Sequence, residues 1–565
     1  MRNTMDRNRK KRDALPTRES ATRAILEEKH IYTEFPAEVE AAAAQVPTAV
    51  SADELRDRED LRALYTFTID GDSSKDFDDA VSLTENGDGT VTLGVHIADV
   101  GHYVKQGSPL DREAFDRGTS VYFADRVAPM LPVALSNGIC SLNPGVDRLT
   151  LTCFMTVDPA GDVKRYRLSR SVIRSHERMT YRVCNLLLSG EADAELEARY
   201  APLLPILKGL AALDQKLQAK RRRRGALELL TSERYILCDP EGKPVEVLQK
   251  GVGRSEGIIE SMMLLANETV AKHLAERGLP AVYRIHEAPS EEKVSALRQV
   301  LAPLGYEVRN ASHGTFQSLL KSSKGTPQED LVNMLVLRTM MKASYAPENL
   351  GHFGLAAEHY CHFTSPIRRY PDLMVNRVIT AELTGKTGET ALRKLANFCK
   401  TAAVQSSERE VAAMTAERDI EKLYLAEYME GHVGEAFLGT VSGVTSFGLF
   451  LTLPNGVDGL LPVRALPDDF YIYNEAHMTL VGEHTGRRYS FGMTLPVLCA
   501  AANGGLGQVD FVLLDEDGRI VPMRERRPQP PAGQAPKNSF QRVIQRKQKK
   551  GRYRPPKRNR KGKLR

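Results

Sequence analysis

No run of eighteen apolar residues occurs in this 565-residue sequence, so no membrane-spanning helix is expected. The first thirty residues have no apolar stretch of the kind a secretory signal needs. They are charged instead, with Arg-Asn-Arg-Lys-Lys-Arg at 7–12. Cysteine is sparse, and the seven present (140, 153, 184, 238, 361, 399 and 499) include no Cys-x-x-Cys pair. That suggests neither a zinc ribbon nor a disulfide framework, and a reduced, cytoplasmic protein is expected.

Charge is divided unevenly along the chain. Arg524–Arg565 holds 17 Lys/Arg against the single acid Glu525, a net +16. The whole chain sums to +6, so the other 523 residues carry −10. A basic tail on an acidic body meets a polyanion or serves as a solvated, disordered solubility tail. With 42% hydrophobic residues, the chain suffices for one large domain and one or two small ones.

Three regimes follow a charged, Ala-rich lead-in over 1–60. Tyr65, Phe67 and Ile69 alternate with polar positions, the pattern of a half-buried strand. Asp78–Leu83 and Thr90–Ile97 read as the next strands, joined by the Gly-containing turn at 85–89, and strand patterns continue through Leu149–Thr156 and Arg165–Ser171. From about Ala192 to Met429 the period is helical, with expected breaks at His313–Thr315 and Lys324–Pro327. Strands followed by helices indicate a large α+β domain over 61–430. Short β-like runs separated by Gly and Pro-Asn-Gly turns over 431–516 fit a small barrel of the oligonucleotide-binding (OB) type. The Pro/Gln/Lys/Arg-rich segment 517–565 has too few apolar residues to fold alone.

Between the first two strands lie Asp70, Asp72, Asp76, Asp78 and Asp79. Such crowding of like charges is costly unless a cation neutralises it; a solvated acidic loop is the bland alternative. An EF-hand starting at Asp70 needs Gly at loop position six and Glu at position twelve, where this chain has Lys75 and Val81. That reading fails. Asp70, Asp76, Asp78 and Asp79 form a hard-oxygen set without His or Cys nearby, which favours Mg²⁺ or Mn²⁺. Two such ions about 3.5–4 Å apart stabilise both attacking and leaving oxygens of a phosphodiester displacement.

The Ile-Asp-Gly start and Asp-Phe-Asp-Asp-Ala-Val finish of this stretch resemble the metal-binding signature of the ribonuclease II/R (RNB) family. Gly118–Phe123, Met130–Pro144, Gly351–Leu355 and His362–Asp372 resemble it too, in order, within a likeness running from about residue 21 to 516. The resemblance implies a processive 3′→5′ hydrolytic exoribonuclease that degrades single-stranded RNA to nucleoside 5′-monophosphates. It implies that Asp70, Asp76 and Asp79 position metal and that Asp78 is the carboxylate most essential to cleavage. Tyr122 would stack on a base near the 3′ end, and Tyr181 and Glu260 would read the ribose. Glu417 would stand behind the active site. Alone, each tyrosine also suits core or rim, and Glu417 a helix salt bridge. The family usually carries cold-shock domains ahead of the catalytic domain; here Ala21–Ala63 resembles its linker, so they are expected to be absent.

Other residues carry their own arguments. Ser365-Pro366 reads as a helix N-cap and first turn, which places Arg368 and Arg369 against the helix dipole. A bound RNA phosphate reverses that penalty, with Arg368 nearest the scissile bond; an ion pair to Asp372 or Glu358 is the alternative. Phe447 and Phe450 offer stacking faces worth about 1–3 kcal/mol per base. Pro496 suits only an edge strand or a strand's first residue. The run Lys220–Arg224 either tracks phosphates or is an exposed helix end. His96, Asp99 and His102 read as structural. Partners expected are single-stranded RNA and, through the basic tail, structured RNA or ribosomes, with the protein a monomer. A degenerate RNA-binding protein and a two-metal DNA nuclease are the rival readings.

Overall fold

The computed structural model describes residues 16–229, 233–251, 253–467, 469–474 and 478–522. Nearly all of the basic tail therefore lies outside the described residues. The large N-terminal domain is built on a seven-stranded sheet of order β1-β8-β7-β4-β3-β2-β9. Its strands are β1 (Glu59–Asp60), β2 (Phe67–Asp70), β3 (Asp79–Glu85), β4 (Val91–Ala98), β7 (Asp147–Val157), β8 (Val163–Arg174) and β9 (Glu177–Thr180). A separate two-residue ladder joins β5 (Val121–Tyr122) to β6 (Val127–Ala128). Pairing is antiparallel from β8 through to β2, whereas β1 and β9 add to the edges in parallel.

The expected strands are present, but β2 is not half-buried. Thr66 and Thr68 are as inaccessible as Phe67 and Ile69. The sheet is covered on both faces, so alternation of polarity does not translate into alternation of exposure. Helices Leu204–Arg224, Arg254–Glu276 and Tyr370–Leu383 pack on it and share one continuous core with it.

The helical regime is interrupted by a hairpin, Glu233–Cys238 with Pro244–Lys250, which the apolar periodicity did not reveal. His313–Thr315 is the start of a helix (His313–Ser323), not a break: the Ser312 hydroxyl accepts the Thr315 N–H. Gly314 sits in the first turn, where its low helix propensity matters little.

Helix Glu389–Glu430 has 42 residues and at about 1.5 Å per residue runs some 60 Å. Its C-terminal part, with Ile420, Tyr424, Leu425 and Met429, enters the core of a closed five-stranded barrel. The barrel strands are Ala436–Thr445, Gly448–Thr452, Asp458–Pro462, Thr494–Asn503 and Gln508–Leu513. The architecture is α+β: a large domain followed by an OB-like barrel.

Pro496 lies inside Thr494–Asn503, opposite Leu438, contrary to the edge rule. Its carbonyl accepts the Leu514 N–H, beyond the end of Gln508–Leu513. A strand residue directs its N and C=O to the same side, so the missing N–H faces a neighbour that has already ended.

Candidate active site

Two parallel strands ending together create the site. β2 finishes at Asp70, whose register partner on β9 is Thr180. Thr180 then caps helix Tyr181–Ser189 through the Val183 N–H, which sets Tyr181 beside the carboxylates. The chain returns into β3 through the loop 71–78, and Asp79 begins that strand.

The loop is held from outside. The Arg178 guanidinium donates to the carbonyls of Gly71, Asp72 and Ser74 at 3.0, 2.7 and 3.4 Å. The Ser141 hydroxyl donates to the Lys75 carbonyl at 2.7 Å and accepts the Phe77 N–H at 3.0 Å. Neither residue was singled out from the sequence, although Ser141 lies within Met130–Pro144, a stretch that carries the family likeness.

Asp78 is 3% exposed. One carboxylate oxygen, Oδ1, accepts the backbone N–H of Ile367 at 2.7 Å. Oδ2 is 3.4 Å from Arg368 Nε, close enough for an ion pair but without a hydrogen bond. Asp70 Oδ2 is likewise buried and without a hydrogen-bond partner. Burial, the largest cause, raises the pKa values of Asp70, Asp78 and Asp79; Asp79 adds to it for Asp70, while Arg368 opposes it for Asp78 and Asp79. Among the described residues no three His, Cys, Asp or Glu side chains converge to metal-ligating spacing.

The expected N-cap role of Ser365 is not what forms. The helix starts at Tyr370, with Arg369 at the cap and Pro371 in the first turn. Residues 365–369 form a turn closed by Arg368 and Arg369 N–H groups donating to the Ser365 carbonyl. The Asp372 carboxylate accepts the Ser365 N–H at 2.7 Å and the Arg369 guanidinium at 2.8 Å. Arg369 thus takes the ion-pair alternative. Arg368, with 43% of its side chain exposed, points to the carboxylates.

Tyr122 reaches the cluster from β5. The Ser120 N–H donates to the Arg368 carbonyl and the Tyr370 N–H to that of Gly118, tying the two segments together. Gly118 has φ +68°, and a Cβ there would meet the Arg409 side chain at 2.6 Å, so glycine suits this helix end. The Tyr122 hydroxyl donates to Asp76 Oδ2 at 3.2 Å, and its backbone N–H to Glu417 Oε1 at 2.9 Å. Burial pushes the Glu417 carboxyl up.

Tyr181 has its phenol pKa raised by burial first, then by Asp79, Asp70 and Glu256. Glu256 is the helix carboxylate named among those causes. Glu260 is exposed one turn further on. Phe447 and Phe450 are 54% and 40% exposed, edge to face with centroids 6.0 Å apart.

The remaining candidates are structural. Buried His96 bridges the Ser82 and Thr152 hydroxyls, Asp99 pairs with Arg58, and His102 pairs with Glu54. Lys220–Arg224 is a helix end: Lys220 pairs with Asp162, Arg222 with Glu228 and Arg224 with Glu268, while Arg221 donates to Ser261 Oγ.

Residues 58–385, which contain all four aspartates and both arginines, match the RNB domain family. The chain belongs to the RNB family. Behind the RNB domain, residues 431–498 match the S1 RNA binding domain. The chain is 44% identical over 501 residues to ribonuclease R 1 of Lactococcus lactis, covering 88% of this chain and 61% of that protein. It is 39% identical over 496 residues to ribonuclease R of Aquifex aeolicus, covering 87% and 70%. RNase R of Mycoplasma genitalium, in complex with ribose methylated single-stranded RNA, matches with a TM-score of 0.82 at 30% identity, over 88% of this chain and 78% of that one. This RNB chain spans 61% of the length of its Lactococcus relative. Among its described residues no helix is long and apolar enough to cross a membrane.

Proposed function

We propose that this chain is a hydrolytic exoribonuclease that removes nucleoside 5′-monophosphates from the 3′ end of single-stranded RNA. One observation carries the reading: a buried carboxylate, Asp78, faces a half-exposed guanidinium, Arg368, with Tyr122 and Tyr181 beside the same cluster.

The residues fit a divalent ion. Asp70 and Asp78 each hold a buried oxygen with no hydrogen-bond partner, and the donors are all carboxylates. Mg²⁺ is commonly held by one or two carboxylates plus waters and substrate phosphates, which suits a set that has not converged by itself. Asp70, Asp76, Asp78 and Asp79 would hold Mg²⁺ or Mn²⁺, two ions in all. Bound there, the metal supplies an activated water and neutralises charge on the phosphate.

The chain's own side chains do the rest. Arg368 takes a non-bridging phosphate oxygen, Tyr122 stacks on the terminal base, and the Tyr181 hydroxyl reaches the ribose 2′-hydroxyl, which favours RNA over DNA. Glu260 is a further ribose contact once substrate fills the cleft. Phe447 and Phe450 stack bases further upstream. The basic tail extends capture to structured RNA or ribosomes, and the protein acts as a monomer in the cytoplasm.

Digestion of 5′-labelled single-stranded RNA with Mg²⁺, with and without EDTA, tests this directly when products are read by mass. The expected result is 5′-monophosphates and a ladder shortening from the 3′ end. Internal fragments as primary products, or equal cleavage in EDTA, would refute it.

A further inference from the structure

At the opposite end of helix Tyr370–Leu383 from Arg368 lies a recess of about 310 Å³. The helix has 14 residues, which sets the two sites about 20 Å apart along its axis. Lys105, Arg170 and Lys386 face this recess, and its rim includes Thr380 and Thr384. They come from the loop after β4, from β8 and from the turn after the helix.

Among the described residues none of these three cations forms an ion pair, although the Asp99 and Asp57 carboxylates act on Arg170 from a distance. Among the described residues Asp99 is the only carboxylate lining the recess, and Arg58 takes it at 2.6 Å in a pair with both side chains buried. Arg377, also on the wall, is used by Asp111 at 2.6 Å and by the Val104 carbonyl at 2.8 Å. His102 pairs with Glu54. Among the described residues the side chains of Lys105, Arg170 and Lys386 form no ion pair, and Arg170 Nε is buried without any acceptor. Burial lowers the Lys105 ammonium pKa, and Arg170, Arg58 and Lys386 lower it further, while Asp99 opposes.

The negative end of the helix dipole does not account for the grouping. It amounts to about half a charge, and the Thr380 and Ala381 carbonyls already accept the Thr384 and Lys386 N–H groups. Three unpaired cations call for a ligand of at least two negative charges. Tetrahedral phosphate oxygens accept from a guanidinium fork and two ammonium groups together, which a single carboxylate does not.

We infer that this recess binds a small phosphate-bearing anion, no larger than a mononucleotide, independently of the carboxylate cleft. The test is calorimetric titration of the full chain with inorganic pyrophosphate in EDTA at constant ionic strength. Saturable one-site binding is expected, weakened at least tenfold in Lys105→Gln/Arg170→Gln and unaffected by Arg368→Gln. Lys386→Gln, on an exposed turn, should weaken it at least threefold and gives the same reading without touching Arg170, whose Nε is buried. RNA cleavage with Mg²⁺ should stay within twofold of wild type in all three recess substitutions. Absence of saturable binding, or loss of it in Arg368→Gln alone, would overturn the inference. So would recess substitutions that weaken binding of a pentanucleotide RNA while leaving pyrophosphate unchanged, because the cations would then track a backbone. None of these failures bears on the exonuclease reading.

Discussion

The Glu417 carboxylate, from the long helix Glu389–Glu430, accepts the backbone N–H of Tyr122 at 2.9 Å. A two-residue ladder such as β5–β6 is marginal by itself, so this bond and the ion pair of Arg126 with Glu19 steady the strand that presents the Tyr122 ring. Glu417 works through Tyr122, and its acidity is not what the geometry uses.

That relationship separates two substitutions. Glu417→Gln keeps an acceptor oxygen and should leave kcat/KM within about threefold, less than 1 kcal/mol. Glu417→Ala leaves the N–H unpaired and should raise KM with little change in kcat. Tyr122→Ala should cost about 1–3 kcal/mol of RNA affinity, the worth of one stacked base. Steady-state kinetics on a short oligonucleotide checks all three; equal losses in Gln and Ala would assign proton chemistry to Glu417.

Asp78→Asn keeps an oxygen to accept the Ile367 N–H but removes the charge facing Arg368. Cleavage should fall at least 10³-fold, about 4 kcal/mol of transition-state stabilisation, while RNA affinity changes by less than about threefold. Because a buried charge is also removed, metal-free melting should not drop. Single-turnover cleavage, filter binding and thermal denaturation together test this.

The raised carboxyl pKa values of Asp70, Asp78 and Asp79 give a pH dependence. The unfolded chain releases these protons near pH 4, whereas the metal-free folded protein keeps them to higher pH. Their contribution to stability is therefore full below about pH 4 and is lost as pH rises through the folded values. Mg²⁺ must displace the protons at acid pH and finds them gone at alkaline pH. The Mg²⁺-induced rise in Tm should be larger at pH 8 than at pH 5.5, by about 1–2 °C for each kcal/mol in a domain of this size. Buried neutral histidines such as His96 and His362 titrate alike with and without the ion and cancel in the difference. Identical shifts at both pH values would argue against metal at these carboxylates.

Removing residues 524–565 takes away a net charge of +16. If about four of those charges meet phosphates, the slope of log affinity against log salt should fall by about 3, at roughly 0.7 per contact for single strands. Binding measured between 50 and 300 mM salt checks this, and an unchanged slope would make the tail a bystander.

Local pattern was enough to find the carboxylates, the main strands and the barrel, because each depends on neighbours in sequence. The Asp spacing sits in one loop, and short runs ending in Gly or Pro-Asn-Gly mark hairpins wherever they occur. Ser365 is not the N-cap of helix Tyr370–Leu383 because the deciding partner, Asp372, binds the Ser365 N–H from within the helix. The hairpin Glu233–Lys250 falls inside the stretch read as helical, although its connection at 239–242, Asp-Pro-Glu-Gly, is itself a turn signal.

By itself the sequence determined which groups carry charge, where the acids crowd and where the chain turns. Tertiary structure alone decided which of them meet. Asp78 finds Ile367 and Arg368, nearly three hundred residues away, because parallel pairing of β2 with β9 opens a strand end that the turn at 365–369 covers. Glu256 comes close enough to raise the Tyr181 phenol pKa, and Glu260 stands one helical turn, about 5 Å, further along the axis. Electrostatics and hydrogen bonds act through space over a few ångströms, and only packing sets those distances.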